Sequence, residues 1–337
     1  MKTSFNDKTR DGIKDLLARV VSNDLAVANV ANADFAQAVS VPLRETLLSG
    51  DIINGIYTPE DFRTNPDVRY PLDLLTPGDE AEFKAFVVPN QGEIPHARLE
   101  GDYLTIPTYN IGNGIDLDLQ FIKDANWPVI RRALQIFEAG FVKKMNDDGW
   151  QCIISAANDR NVIVYDGNAT QGQFTPRLIT LLQNYMRRNG GGNSATLNRS
   201  RVTDVYMSPE AHMDIRAWGL DLVPDAVRTQ IYYAKEGSQD LINIFGVNLH
   251  ALDEFGVNQE YQNYWTNTLS GSLATQNDVE IGIALDQNNQ DFVMPIREDL
   301  QVFEDNTVHR RGDFSVYGRF RGGFAVLDSR RTLILSL

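Results

Sequence analysis

The sequence contains few of the residue types on which redox and metal-dependent proteins rely. It has one cysteine, Cys152, in 337 residues, which excludes an internal disulfide framework and a zinc site built from several cysteines. The four histidines, His96, His212, His250 and His309, are scattered and never stand at the spacing of metal ligands. No window approaches the roughly 20 apolar residues of a membrane-spanning helix. No apolar signal-peptide core follows the N-terminus, so synthesis in the cytoplasm is expected.

Motifs for nucleotide binding and hydrolysis are also missing. The sequence has no GxxxxGK[ST], GxGxxG or HExxH pattern. Cys152 lies in the apolar run CIISAA, which indicates core packing rather than a nucleophile partnered by a histidine. The carboxylate pairs Asp116/Asp118 and Asp147/Asp148 are assigned to the polar face of a strand and to a solvated helix face. No catalytic, metal or cofactor site is therefore predicted.

Positive charge is in short supply relative to negative charge. The sequence has 45 acidic and 31 basic residues, a formal net charge of −14. Each phosphate contact needs a lysine or arginine, so a chain with this charge balance is poorly suited to binding nucleic acid tightly. The balance is compatible with a protein that encloses nucleic acid without adhering to it.

The first 122 residues predict an N-terminal arm followed by an extended segment that contains a long hairpin. Up to about residue 65, short helical pieces alternate with turn formers, as in PLRETLLSGDIINGIYTPEDF. EFKAFVV and YLTIPTY then predict two strands of a long hairpin, separated by PNQGEIPHARLEGD. IDLDLQF alternates strictly between apolar and polar residues, which is typical of a half-buried strand.

The strongest helix prediction covers about residues 126–157. Pro128 falls in its first turn, where a missing N–H costs little, and Gly140 and Gly149 are positions at which it could bend. Its predicted core residues recur at steps of three or four: Trp127, Ile130, Leu134, Phe137, Phe141 and Met145.

The remaining residues predict a mixed region of helices and strands. A helix is expected from Pro176 to Arg188, and RVTDVYM should form a strand that leads into a helix capped by Ser208. Further strands are expected in LINIFGVNLHAL, VEIGIAL and DFVMPI. In the closing segment, Arg319 and Arg321 of YGRFRGG could face an interface or DNA, or pair with neighbouring carboxylates.

The order of these features resembles that of tailed-bacteriophage major capsid proteins of the Hong Kong 97 fold, an α+β fold. AEFKAFVVPNQGEIPHARLEGDYLTIPTYNI is similar to the family's extended loop, which lies over a neighbouring subunit. IDLDLQFIKDANWPVIRRALQIFEAGFVKKMNDDGWQCIISAA is similar to its strand and long spine helix. RVTDVYMSPEAHMDIRAW is similar to its strand–SPE–helix step, and GRFRGGFAVLDSRRTLILSL to its closing strands.

The resemblance implies a division of the chain into five segments. They are an N-terminal arm (1–65), an extended loop (66–114), a peripheral domain with the spine helix (115–190), an axial domain (191–297) and return strands of the peripheral domain (298–337). It implies intersubunit contacts at the loop tip, formed by Pro89, Asn90, Gln91, Gly92, Glu93, Ile94, Pro95, His96 and Arg98.

The function implied by the resemblance is that of a virion shell subunit, without enzymatic activity or cofactor. Hexamers and pentamers would assemble in the host bacterial cytoplasm into an icosahedral shell that encloses double-stranded DNA without sequence-specific binding or membrane contact. Other implied partners are a scaffolding protein, expected as a separate chain because only about 60 residues precede the hairpin, a portal and decoration proteins. The alternatives are an encapsulin-like compartment shell, a tail component and an enzyme of unrecognised family.

Overall fold

The computed structural model describes residues 52–64, 67–72, 102–118, 127–189, 200–218, 241–271, 279–287, 291–305 and 313–337. The helices are α1 (Ile52–Ile56), α2 (Trp127–Asp159), α3 (Pro176–Asn189), α4 (Pro209–Ala217) and α5 (Glu260–Asn263), with a π-helical turn at Tyr264–Thr268 and a 3₁₀ turn at Ser329–Arg331. The strands are β1 (Thr58–Asp61), β2 (Arg69–Leu72), β3 (Asp102–Thr105), β4 (Tyr109–Asp118), β5 (Ile163–Val164), β6 (Asp204–Met207), β7 (Leu241–Ile244), β8 (Val247–Ala251), β9 (Ile281–Leu285), β10 (Phe292–Asp305), β11 (Asp313–Gly322), β12 (Ala325–Val326) and β13 (Thr332–Ser336). Within the described ranges, no helix is long and apolar enough to cross a bilayer.

The chain forms two compact units, and the first contains residues up to 68, 106–148 and 294–324. Its sheet has the strand order β1-β10-β11-β4, and β4 pairs antiparallel with β11 from Tyr109 opposite Gly322 to Asp118 opposite Asp313. Alternation along these strands buries Ile111, Val316 and Phe320 on one face. The other face of the β4–β11 ladder is exposed, as expected for an antiparallel sheet with one face packed on a core.

The first part of α2 packs on the buried face of that sheet. The rings of Phe137 and Phe141 are fully buried and lie edge to face, with centroids 5.3 Å apart. A Cβ atom at Gly318 of β11 would lie 3.0 Å from both rings, so glycine allows the helix to approach the sheet. On the helix, Gly140 leaves space for the amide of Asn113, whose Nδ2 donates to the Phe137 carbonyl at 3.0 Å. Gly140 therefore serves a close contact and does not interrupt the helix.

The second unit contains residues 69–105, 149–293 and 325–337. Its six-stranded sheet has the order β5-β13-β9-β6-β8-β7. Every residue of β6, β9 and β13 is buried, which fits their predominantly apolar sequences. Leu178, Leu182 and Met186 of α3 and Ile215 of α4 belong to the same buried cluster.

Helix α4 begins as the sequence predicts. Ser208 is the N-cap, and its Oγ accepts a hydrogen bond from the N–H of Ala211 at 3.0 Å, while Pro209 occupies the first helical position. The Ser208 hydroxyl also donates to Oε1 of Glu280 at 2.8 Å. Burial raises the pKa of Glu280 above its usual value, more than this hydrogen bond lowers it.

The predicted return segment, residues 298–337, contributes strands to both units. β11 lies in the sheet of the first unit, but β13 lies between β5 and β9 in the second unit. The sequence of β13 is TLILS, and all five residues are buried. Such a strand needs a hydrogen-bonded strand at each edge and packed side chains on both faces. The spine helix likewise contributes to both units, dividing between Asp148 and Gly149.

Candidate assembly surfaces

The base of the predicted extended loop is a two-stranded ribbon. β2 pairs antiparallel with β3 over four residues, from Arg69 opposite Thr105 to Leu72 opposite Asp102. The strand predicted at YLTIPTY is found over Asp102–Thr105, and its described partner is RYPL at residues 69–72. The proposed hairpin partner, residues 82–88, lies outside the described residues. On the ribbon, Tyr103 is 64% exposed, whereas Tyr70 is buried.

The predicted intersubunit residues of the loop tip cannot be placed on this ribbon, because they all lie outside the described residues: Pro89, Asn90, Gln91, Gly92, Glu93, Ile94, Pro95, His96 and Arg98. Of the predicted spine-helix core, Phe137, Phe141 and Met145 are buried. Trp127, Ile130 and Leu134 lie in α2, but their side chains are outside the description.

The exposed face of the first unit's sheet carries both singled-out arginines. The Nη2 of Arg319 donates to Oδ1 of Asn110 at 3.2 Å, and the Nη1 of Arg321 lies 3.4 Å from Oε1 of Glu298. Arg321 therefore pairs with a carboxylate across the β10–β11 ladder, one of the outcomes that the sequence left open. Beside the arginines, the rings of Phe303 and Tyr317 stack with centroids 5.4 Å apart.

An ion-pair cluster fixes the segment after α1 to β10. Arg63 is bonded to Asp61 and also lies 2.7 Å from Oδ2 of Asp299. Hydrogen bonds from Arg63 lower the pKa of Asp61 to about 2. The backbone N–H of Phe62 donates to the carbonyl of Ile296 at 2.8 Å, which adds a main-chain contact.

The carboxylates and the thiol considered for catalysis have structural surroundings. Asp116 and Asp118 are exposed on β4, as predicted. The assignment of Asp147 and Asp148 to a solvated face is wrong: both are half-buried, and Asp148 accepts hydrogen bonds from Lys144 Nζ at 2.6 Å and the Tyr109 hydroxyl at 2.8 Å. Cys152 is half-buried in α2. Among the described residues, no group of three or more His, Cys, Asp or Glu could hold a metal ion.

His250 is paired with a carboxylate, an arrangement that the sequence did not reveal. Its Nε2 lies 2.9 Å from Oδ1 of Asp204, and its ring stacks on Tyr206 with centroids 4.5 Å apart. Burial acts to raise the pKa of Asp204, but hydrogen bonds from His250 and its neighbours outweigh it and lower that pKa. Burial, followed by the Asp204 charge, raises the pKa of Tyr206, so its phenol stays protonated and is a poor nucleophile. Of the other three histidines, His212 is buried in α4, and His96 and His309 lie outside the described residues.

A buried arginine organises the interior of the second unit. Arg331, with 3% of its side chain exposed, donates from Nη1 to Asp286 Oδ2 and to Ser200 Oγ, both at 2.9 Å. Its Nε lies 3.1 Å from Oδ2 of Asp291. Burial raises the pKa of Asp291 and outweighs the opposing effect of the Arg331 charge. The cluster connects segments that are 45 and 131 residues apart, so no local sequence pattern could have indicated it.

Comparisons with known proteins give similarity in structure and none in sequence. No family model matches the chain, and no curated protein matches its sequence. A solved structure of Microbacterium phage Oxtober96 is 13% identical with a TM-score of 0.55, covering 86% of this chain and 91% of that one. The capsid asymmetric unit of cyanophage Pam1 is 10% identical with a TM-score of 0.53, covering 83% and 87%. The head structure of Helicobacter pylori bacteriophage KHP40 is 9% identical with a TM-score of 0.51, covering 82% and 86%. The chain has the Hong Kong 97-type fold of tailed-phage capsid proteins.

Proposed function

We propose that the protein is a major capsid subunit that forms hexamers and pentamers of an icosahedral shell around double-stranded DNA. The observation that carries the proposal is the agreement in fold with phage capsid and head structures over 82–86% of this chain. The agreement extends along nearly the whole of each neighbour, so it concerns the complete subunit rather than one shared motif.

The excursion between β2 and β3 supports a role in association. Its described base pairs over only four residues on each strand and leaves Tyr103 64% exposed. Two-stranded ribbons are marginally stable in isolation, so contacts with neighbouring subunits would stabilise it further. We assign the loop tip, residues 89–98, to such an intersubunit contact. A closed shell repeats each weak contact many times, which makes the assembly stable.

The electrostatics favour a container over a DNA-binding surface. The net charge of −14 repels a packaged polyanion. Arg321 is paired with Glu298, and Arg319 is bonded to the amide of Asn110. Because both guanidinium groups already have partners on the sheet, we assign them to the surface structure of the subunit rather than to contacts with DNA phosphates. This role needs no catalytic group or cofactor. The protein would assemble in the host cytoplasm with separate scaffolding and portal proteins, and would then be part of the virion.

Assembly of the purified protein tests the proposal. Alone or with a scaffolding protein, it should form rings or closed shells in negative-stain micrographs and sediment far faster than a 37.8 kDa monomer. A compact monomer at every concentration, with and without that partner, contradicts the proposed function.

The loop is tested by replacing residues 88–99 with a Gly-Asn turn. Shortening a loop has a small entropic effect, so the melting temperature of the unassembled subunit should barely change. Shells should fail to form or become fragile. Circular dichroism and sedimentation of the same sample separate the outcomes: an unfolded variant places the loop in the subunit's own core, and robust shells remove it from the interface.

A further inference from the structure

The outer face of the β4–β11 ladder carries its two signs of charge at opposite ends. Arg319 of β11 lies opposite Gly112 of β4, and Arg321 follows two residues later on the same face. Asp116 and Asp118 of β4 are exposed on this face towards the other end of the ladder. Alternate residues of a strand share a face, so the arginines and the aspartates are separated along the strands. The face therefore has a positive end and a negative end.

The charges of Arg319 and Asp116 are not balanced within the described part of the subunit. Arg319 donates to the amide oxygen of Asn110, which is neutral. Asp116 has neither a hydrogen bond nor an ion pair among the described residues. Gly112, which lies opposite Arg319, is four residues from Asp116 on β4, a distance of roughly 14 Å at about 3.4 Å per residue. The two groups are therefore too far apart to form an ion pair with each other in one subunit.

An aromatic pair lies between the two charged ends. Tyr317 is two residues from Arg319 and opposite Gly114, and its ring stacks on that of Phe303 of β10. The side chains of Tyr317 and Phe303 are 43% and 40% exposed. A Cβ atom at Gly114 would lie 3.5 Å from the Cβ of Tyr317, so glycine leaves the side of the tyrosine next to β4 open. Aromatic residues at the centre with charges around them are the usual arrangement of a protein interface.

We propose that this face binds the same face of a second copy of the chain across a two-fold axis. The inference rests on the proposed capsid function, because it names one contact between the subunits of the shell. A two-fold contact is isologous, so each patch meets its own equivalent. With the axis in the interface and perpendicular to the strands, the positive end of one face lies over the negative end of the other. An axis along the strands would place like charges together, which is unfavourable.

The strand register then determines which residues meet. Arg319 lies two residues to one side of Tyr317, and Asp116 lies two residues to the other side of Gly114, the residue opposite Tyr317. With Tyr317 at the axis, rotation brings Arg319 of one copy to Asp116 of the other, twice in each contact. The Tyr317 rings of the two copies meet at the centre, where Gly114 leaves space for them.

The contact is small, so it acts within an assembly rather than by itself. β4 has 10 residues and is therefore roughly 34 Å long, and three strands are together roughly 14 Å wide. The face covers about 480 Å² per copy, less than the roughly 800 Å² per partner of a standard interface. Isolated pairs of subunits should therefore be weak, and the repetition of the contact in a closed shell makes it effective.

Charge reversal tests the contact. Arg319→Glu and Asp116→Arg each place like charges across the axis, so the concentration needed for assembly should rise roughly tenfold or more. Both side chains are exposed, so the melting temperature of the unassembled subunits should barely change. The matched control is Arg132→Glu, because Arg132 is exposed on α2 in the same unit and the change in net charge equals that of Arg319→Glu. In sedimentation velocity and negative-stain microscopy, the control should assemble like the wild type.

An equimolar mixture of the two reversed variants is the decisive measurement. Arg319→Glu subunits have acidic groups at both positions, and Asp116→Arg subunits have basic groups at both. Each variant therefore repels its own copies and attracts those of the other variant. Assembly of the mixture should return to the wild-type concentration. A role of either residue inside its own subunit would not be restored by mixing.

The outcomes separate this contact from the proposed function. If one reversed variant is unfolded, the chain with both reversals replaces the mixture and should assemble like the wild type. Wild-type shells together with unimpaired single variants, or with a mixture or double variant that is folded but still impaired, would overturn the inference and leave the proposed function standing. A wild type that never assembles, with or without a scaffolding protein, would overturn both.

Discussion

In the first unit, the β4–β11 ladder has one face on α2 and the other exposed, whereas β6, β9 and β13 of the second unit are buried on both faces. Charged groups follow the same division. Arg319 and Arg321 lie on the outer face of the first sheet, but Arg331 is enclosed in the second unit. The stability of the first unit should therefore depend on the close fit of helix and sheet. That of the second should depend on internal charge pairing as well.

The largest effect is expected from Arg331→Met in the second unit. Removing the guanidinium leaves Asp286, with 1% of its side chain exposed, without its buried cation. Breaking a buried ion pair on one side costs about 3–5 kcal/mol. Urea denaturation should show that the free energy of unfolding falls by this amount. The exposed control Arg319→Met should change the free energy of unfolding by less than about 0.5 kcal/mol. Equal, small effects would mean that the second unit does not depend on its internal charges.

A smaller loss of stability is expected from Gly318→Ala in the first unit. Its Cβ would lie 3.0 Å from the rings of Phe137 and Phe141, and overpacking of this kind costs about 1–3 kcal/mol. The control is Gly112→Ala on the neighbouring strand, where the nearest atom would lie at an ordinary 3.6 Å. Denaturation should leave this control within about 0.5 kcal/mol of the wild type. Similar results for both glycines would argue against a tight fit between helix and sheet.

A modest gain in stability is expected from Glu280→Gln. The pKa of Glu280 is raised in the folded state, so its contribution to stability is present below the unfolded value of 4.5 and lost as the pH rises. Glutamine can still accept the hydrogen bond from Ser208 and carries no charge. Thermal melts should therefore show a higher melting temperature for the variant at pH 7, and the difference should disappear below about pH 4.5. A destabilised variant at pH 7 would show that the buried charge is well compensated.

The smallest effect is expected from Asp61→Asn. The pKa of Asp61 is lowered to about 2 from 3.8, so its contribution is present at neutral pH and lost as the pH falls through this range. The pair is exposed, and water and salt screen it. A slight drop in melting temperature at pH 7 should vanish at high ionic strength. A large, salt-independent drop would show that the first unit also relies on charge pairing.

Features with a local cause could be predicted from the sequence. The long helix is found at Trp127–Asp159, close to the predicted 126–157, because its apolar spacing persists for many turns. The cap at Ser208 also depends only on adjacent residues. The order of such elements was sufficient to indicate the fold.

Features that depend on distant partners could not be predicted. The pairing of β2 with β3 and the place of β13 between β5 and β9 are decided by which strands meet, which periodicity does not specify. The partners of Arg331 lie up to 131 residues away. Gly246 is a local indication of a turn at Phe245, between β7 and β8. The turn was not predicted, because phenylalanine is unusual at the first position of a two-residue hairpin loop.

The place of β13 in its sheet has a consequence for the timing of synthesis. The described partner of β5 is β13, so Ile163 and Val164 cannot form strand pairs until residues 334 and 335 have been synthesised. Contacts this far apart in sequence form slowly, and incomplete chains expose their apolar surfaces. During translation, the edge formed by β5 and β13 is completed only after the opposite edge, with Phe245, has been made. A chain still being synthesised therefore has one finished edge of this sheet while the other edge stays open.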